Sequence, residues 1–120
     1  MIVAGFGFTS RATQGSLMDA LRQTGHAEAV DMLATAEDKA ARLTDLCNHM
    51  QSTIVGIPSP TLQAMQTETQ SDISRAHRHT GSLAEAAALA AAGPGARLII
   101  TRCISSDREA TCAIAQGDSL

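Results

Sequence analysis

Apolar runs of strand length alternate with stretches of helical period through the first half of this chain, and two runs joined by a polar turn close it. That order constrains the fold more than any other feature. Strands linked by helical crossovers lie parallel, whereas strands linked by a short turn lie antiparallel. Ile2 to Phe6 is a short apolar run ending in Gly-Phe-Gly, the pattern of a buried strand. Thr9 or Ser10 is placed to cap a helix with Leu17, Ala20, Leu21 and Thr24 on its apolar face, and Gly25 stands where a C′ glycine ends it. Val30 to Ala36 reads as a second strand. A second helix runs from about Glu37 to Met50, with Ala40, Leu43, Leu46, Cys47 and Met50 on one face. Thr53 to Ile57 is a third strand, stopped by Pro58 and Pro60. Between Ser59 and Thr80 the pattern fails. Leu62 to Met65 fits one helical turn, and the polar stretch Gln66 to Ser74 reads as a mobile loop. Ser82-Leu83-Ala84-Glu85 is a capping-box sequence that opens an alanine-rich helix ending at Gly93-Pro94-Gly95. Leu98 to Ile104 and Ala110 to Ala115 then form a hairpin around Ser105 to Glu109. The expected fold is α/β, with a mixed, mostly parallel sheet of about five strands ending in an antiparallel hairpin.

The chain has 120 residues, enough for one domain that buries roughly two-thirds of its unfolded surface, and 1-120 is expected to fold as a single unit. Hydrophobic residues are 44% and charged residues 18%, a globular rather than a disordered composition. A net charge of -3 argues against a nucleic-acid partner, and Phe6 and Phe8, the only aromatics, leave no platform for stacking bases. No apolar run approaches the roughly 18 residues that cross a bilayer, so no membrane partner is expected. The start lacks the regions of a signal peptide, and an odd set of cysteines (Cys47, Cys103, Cys112) suits a reducing compartment, so the expected location is cytoplasmic. Among the 9 basic residues Lys39 is the single lysine, which argues against Schiff-base chemistry. The arginine bias and the 22 alanines fit a GC-rich genome, while guanidinium forks also suit a ligand with several carboxylates.

Two segments carry candidate chemistry. Gly5-Phe6-Gly7 is read as lying between a strand and a helix, where glycines let the backbone turn tightly against a ligand and free N–H groups attract anions. The dinucleotide fingerprint needs a third glycine where this chain has Ser10, and a turn serving only the fold would look the same. Arg11 adds positive charge beside it. Arg75-Ala76-His77-Arg78-His79-Thr80-Gly81-Ser82 is the densest cationic segment and leads into a helix start, which favours a carboxylate or phosphate; a solvated polar loop is the plainer reading. His77 and His79 lack a third nearby ligand, so no metal or cofactor is expected. Cys103 and Cys112 oppose each other if the hairpin loop has two or four residues centred on Asp107-Arg108, more as small buried side chains than as a disulfide. Glu85 is a possible general base, although reaching back to the Ser82 N–H is its more ordinary role. No nucleophile elbow and no Ser-His-Asp set can be assembled.

The segment Thr80 to Ala92, with Arg97-Leu98-Ile99-Ile100 and Ala110 to Ala115, resembles the CobE and CbiG C-terminal family of cobalamin biosynthesis. Val3-Ala4-Gly5-Phe6-Gly7-Phe8 and Asp19-Ala20-Leu21 match the family's start. The likeness covers nearly the whole chain and is weakest from Ser59 to Ser74. It implies a three-layer α/β/α sandwich. CbiG relatives open the δ-lactone of a cobalt-precorrin and release a two-carbon aldehyde, using further N-terminal domains that a first strand at Met1 leaves out. Stand-alone members belong with the oxygen-dependent route, and their likeness to CbiG suggests binding, carrying or protecting a corrin intermediate.

Precorrins surround an apolar macrocycle with acetate and propionate groups, so the resemblance implies a site with helix N-termini and arginines at its rim. Gly5, Gly7, Thr9, Ser10 and Arg11 are the candidates for one side of it; Arg75, Arg78, Thr80, Gly81 and Ser82 are those for the other. The leading expectation is a binder or carrier of a precorrin, working alone or docked on another enzyme of the pathway. A lactone-opening enzyme and a small nucleotide-binding or interaction module are the alternatives.

Overall fold

The computed structural model describes residues 1–62 and 80–117. Its centre is β1 (Ile2–Phe8), which pairs in parallel with β2 (Met32–Ala36) on one side and antiparallel with β5 (Ala110–Gln116) on the other. Outside these lie β3 (Thr53–Ile57), parallel to β2, and β4 (Arg97–Ile104), antiparallel to β5, giving the order β3-β2-β1-β5-β4. β1, β2, β3 and β4 therefore run one way and β5 alone runs against them. The expected mixed sheet is present. The hairpin does not simply extend an edge, because its second strand is inserted beside β1 and is buried along Ala110 to Ala115.

Helices cover both faces. α1 (Gln14–Gln23) and α2 (Thr44–Met50) share a core with Phe6, Phe8, Leu33, Cys112 and Ile114; α3 (Thr80–Ala92) lies on the other face with Val3, Ala34, Ile57 and Leu62. Strand alternation explains the division: even-numbered residues of β1 and β5 point to α1, odd-numbered ones to α3. The alanines have a packing role here. Ala84, Ala86, Ala87 and Ala88 are all fully buried, and small side chains let the helix backbone sit directly on the sheet.

Several boundaries depart from the sequence reading. β1 continues to Phe8, so Gly5 and Gly7 lie inside a strand and not in a turn. A Cβ on Gly5 would press on the Ala84 carbonyl oxygen and stand 2.5 Å from Ala88 N, so the glycine is what allows α3 to approach. Neither Thr9 nor Ser10 caps α1. Thr9 extends the ladder by donating its N–H to Glu109 O, at 2.9 Å. The cap is Thr13, whose Oγ1 accepts from Ser16 N while Ser16 Oγ accepts from Thr13 N, at 3.1 and 3.0 Å. Gly25 does follow the helix at positive φ, as its C′ position requires. The second helix is divided: Glu37–Leu43 is a 3₁₀ helix and only Thr44–Met50 is α-helical. A Cβ on Gly56 would be 2.8 Å from Glu37 Cα, so the tighter helix begins directly against β3. The expected turn at Leu62 to Met65 begins earlier, with Leu62 N–H donating to Pro58 O at 3.0 Å, and its remainder and the expected loop lie outside the described residues.

Candidate functional site

The parallel strands β1, β2 and β3 end at Phe8, Ala36 and Ile57, along one edge of the sheet. α3 runs antiparallel to β1, with Ala84 and Ala88 over Gly5 and Ala92 against Gly117, beside Met1. Its N-terminus at Thr80 is therefore at the same edge as Phe8. Thus the loop after β1, bearing Thr9, Ser10 and Arg11, and the start of α3, bearing Thr80, Gly81 and Ser82, share one edge of the sheet. Such an edge, outside the carboxyl ends of parallel strands, is where open α/β sheets form ligand crevices. Arg75 and Arg78 lie outside the described residues.

The β4–β5 hairpin anchors both the β1–α1 loop, through Thr9, and α1, through Ser16 and Asp19. Thr9 Oγ1 donates to Glu109 Oε1 at 2.5 Å, Ser16 Oγ to Asp107 Oδ2 at 2.5 Å, and Ser106 N–H to Asp19 Oδ2 at 2.6 Å. Within the hairpin, Arg108 N–H closes a turn on Ser105 O at 2.9 Å, leaving a four-residue loop centred on Asp107 and Arg108. The backbone hydrogen bond from Ser106 holds the Asp19 carboxyl below its ordinary range. Hydroxyls of Ser105 and Ser16, then the Glu109 N–H, do the same for Asp107. These two acids tie the hairpin to α1.

Cations stand on the opposite side of this loop. Lys39 Nζ donates to Phe8 O at 3.0 Å and lies 5.4 Å from the centroid of the Phe8 ring. Arg42 donates to Ala12 O at 2.5 Å, with its Cζ 5.3 Å from the same centroid. Sequence reasoning missed both, since they sit on the outer face of a stretch read as an α-helix. The usable signal is their spacing: residues three apart eclipse in a 3₁₀ helix, which presents both to Phe8. Arg11 is exposed on the loop between the two carbonyls.

Gly5 contributes no surface here, because α3 fills the space a side chain would take. Gly7 is buried, with its carbonyl accepting from Thr111 Oγ1 at 3.2 Å. Glu85 is 2% exposed, and its Oε2 accepts from Arg102 N–H at 3.3 Å, near the point where the β4–β5 register shifts. Among the described residues no group of three or more His, Cys, Asp or Glu side chains is placed to hold a metal. Cys103 and Cys112 are partners in register and both are free thiols; burial pushes the Cys112 thiol well up and the Cys103 thiol up. A separate cavity of about 410 Å³ lies at the far end of α3, lined among the described residues by Thr61, Leu89, Ala90 and the turn Gly93 to Ala96, none of them charged. No helix among the described residues is long and apolar enough to cross a membrane.

A family profile described as cobalamin synthesis G C-terminus matches residues 2–115. Among solved structures, cobalamin biosynthesis protein chiG from Agrobacterium tumefaciens superposes with a TM-score of 0.77 at 33% identity, over 99% of this chain and 100% of that one. CobE, a protein from the cobalamin (vitamin B12) biosynthetic pathway, gives a TM-score of 0.76 at 29% identity, over 96% of this chain and 89% of its own. A cobalamin biosynthesis protein G homolog from Sulfolobus solfataricus shares the fold alone, with a TM-score of 0.75 at 17% identity over 36% of its length. No curated protein sequence matches the chain.

Proposed function

The chain belongs to the cobalamin synthesis G C-terminal family of cobalamin biosynthesis proteins, and from that premise we propose that it binds or carries a corrin intermediate in the cytoplasm. The observation that carries this reading is the meeting of the β1–α1 loop and the α3 N-terminus at one sheet edge. Helix N-terminal N–H groups and arginines there suit the acetate and propionate groups around a precorrin. Thr9, Ser10 and Arg11 serve one side of the ligand, while Arg75, Arg78, Thr80, Gly81 and Ser82 serve the other. Asp19 and Asp107, on the hairpin side of the edge, are engaged by hydroxyl and backbone donors, which gives these two acids a structural role.

Incubating the full chain with a panel of corrin intermediates and following the visible spectrum through gel filtration tests the reading. With no Trp or Tyr the protein absorbs little of its own in the near ultraviolet, so bound pigment is plain. Co-elution at micromolar protein is expected; a panel in which nothing co-elutes would refute binding. Replacing Arg75 and Arg78 together with Ala should weaken binding by about tenfold or more at low salt and leave the unfolding midpoint nearly unchanged. Unchanged affinity would remove those two arginines from the site.

A further inference from the structure

We propose that Lys39 and Arg42, seated over the ring of Phe8, form a binding site for an oxyanion of carboxylate size. The site deepens the corrin-binding reading by placing one ligand carboxylate at the end of β1, and it rests on that reading only for the ligand's identity.

The argument begins with unused donors. An ammonium has three N–H donors and a guanidinium five. Lys39 spends one on Phe8 O and Arg42 one on Ala12 O, and neither has a carboxylate partner among the described residues. Both are tied down, so an arriving anion does not have to order two long side chains. The 3₁₀ geometry of Glu37–Leu43 sets them on one face, and the Phe8 ring at 5.3–5.4 Å replaces part of their water. A partly desolvated cation with free donors attracts an anion more strongly than a fully hydrated one. Access remains, because Arg42 is exposed and Lys39 is half-buried. Glu109 keeps its charge but is on the hairpin side of the loop, hydrogen-bonded to Thr9, and Glu37 and Asp38, exposed in the first turn of the same 3₁₀ helix, make no ion pair with either cation.

Two ligand sources share this chemistry: a carboxylate of a tetrapyrrole, and free phosphate. The full chain is titrated with uroporphyrin, an octacarboxylate tetrapyrrole, by absorbance, and separately with inorganic phosphate by backbone amide NMR. The variants are Lys39→Gln, Arg42→Gln, the double variant and Lys39→Arg, each checked by circular dichroism for a folded chain. In wild type, phosphate should shift amides at residues 8–12 and 39–43, and the double variant should lose those shifts. Uroporphyrin affinity should fall about tenfold per cation removed, ~1.4 kcal/mol each. Lys39→Arg should recover most of the loss. Affinity should decline with salt in wild type and much less in the double variant, which a role confined to loop anchoring would not produce. Phosphate shifts without uroporphyrin binding would support the site and count against the tetrapyrrole reading. A folded double variant that binds both probes as wild type does would overturn the site and spare that reading. A wild type that neither binds uroporphyrin nor shows phosphate shifts at residues 8–12 and 39–43 would overturn it as well.

Discussion

Gly5→Ala tests the contact on which the α3 layer rests. The added methyl would contribute favourably by itself: about 0.8 kcal/mol for a buried carbon, and about 0.5–1 kcal/mol from a less flexible unfolded chain. Against this, the new Cβ would overlap the Ala84 carbonyl oxygen, with Ala88 N at 2.5 Å and Ala88 Cβ at 2.8 Å. Two of these neighbours are backbone atoms of a helix and cannot rotate away. Relief requires α3 to withdraw by roughly 1 Å, and a gap of that size forfeits a quarter to a half of the dispersion attraction across it. The face concerned includes Ala84, Ala86, Ala87 and Ala88 against Val3 and Ala34, all fully buried. The net effect should be a loss of about 3 kcal/mol or more, out of the roughly 5–15 kcal/mol of an ordinary domain. Urea unfolding followed by far-UV circular dichroism measures it, since a chain without Trp or Tyr gives no useful fluorescence. The melting temperature should fall by roughly 10–20 °C. Gly15→Ala is the control: its Cβ would meet only Thr13 Oγ1 at 3.4 Å, so stability should hold or rise by about 0.5–1 kcal/mol. A Gly5→Ala protein within about 0.5 kcal/mol of wild type, at an unchanged denaturant slope, would refute the close seating of α3 on β1.

Leu33→Ala, at a fully buried position beneath α1 and α2, should cost about 2–5 kcal/mol in the same assay. Leu89→Ala should cost clearly less, because Leu89 is only half-buried beside the cavity at the end of α3. Asp19 and Asp107 titrate below their ordinary value of 3.8 in the folded chain, so their contribution is present above that pH and is lost as pH falls through the lowered values. An acid titration followed by NMR should show the Ser105–Glu109 loop leaving α1 in that window, and Asp19→Asn with Asp107→Asn should abolish the dependence. Cys112 should resist iodoacetamide at neutral pH while Cys47 and Cys103 are alkylated, as read by peptide mass; early labelling of Cys112 would contradict its burial.

Local chemistry alone determined much of this protein. The periods of two and 3.6, the glycine after α1, and the prolines after β3 mark elements that need no distant partner to be recognised. The hairpin is equally local: its four-residue loop around Asp107 and Arg108 puts Cys103 opposite Cys112, as the spacing requires. Long-range contacts decided the rest. No residue pattern within β5 states that it will lie between β1 and β4, because burial on both faces follows from the neighbours it acquires. Gly5 resembled a ligand turn because a glycine needed for close helix packing and one needed for a tight turn are the same residue; only α3's position separates them. Likewise Thr9 has the side chain of a helix cap, yet Glu109 of the distant hairpin engages it and Thr13 takes that role. Lys39 and Arg42 share a face in either kind of helix, yet nothing local states that this face meets Phe8; the packing of Glu37–Leu43 at the end of β1 decides that. Tertiary contact also brought the β1–α1 loop and the start of α3 to one edge, because the sense in which a helix crosses a sheet is set by packing across the whole layer.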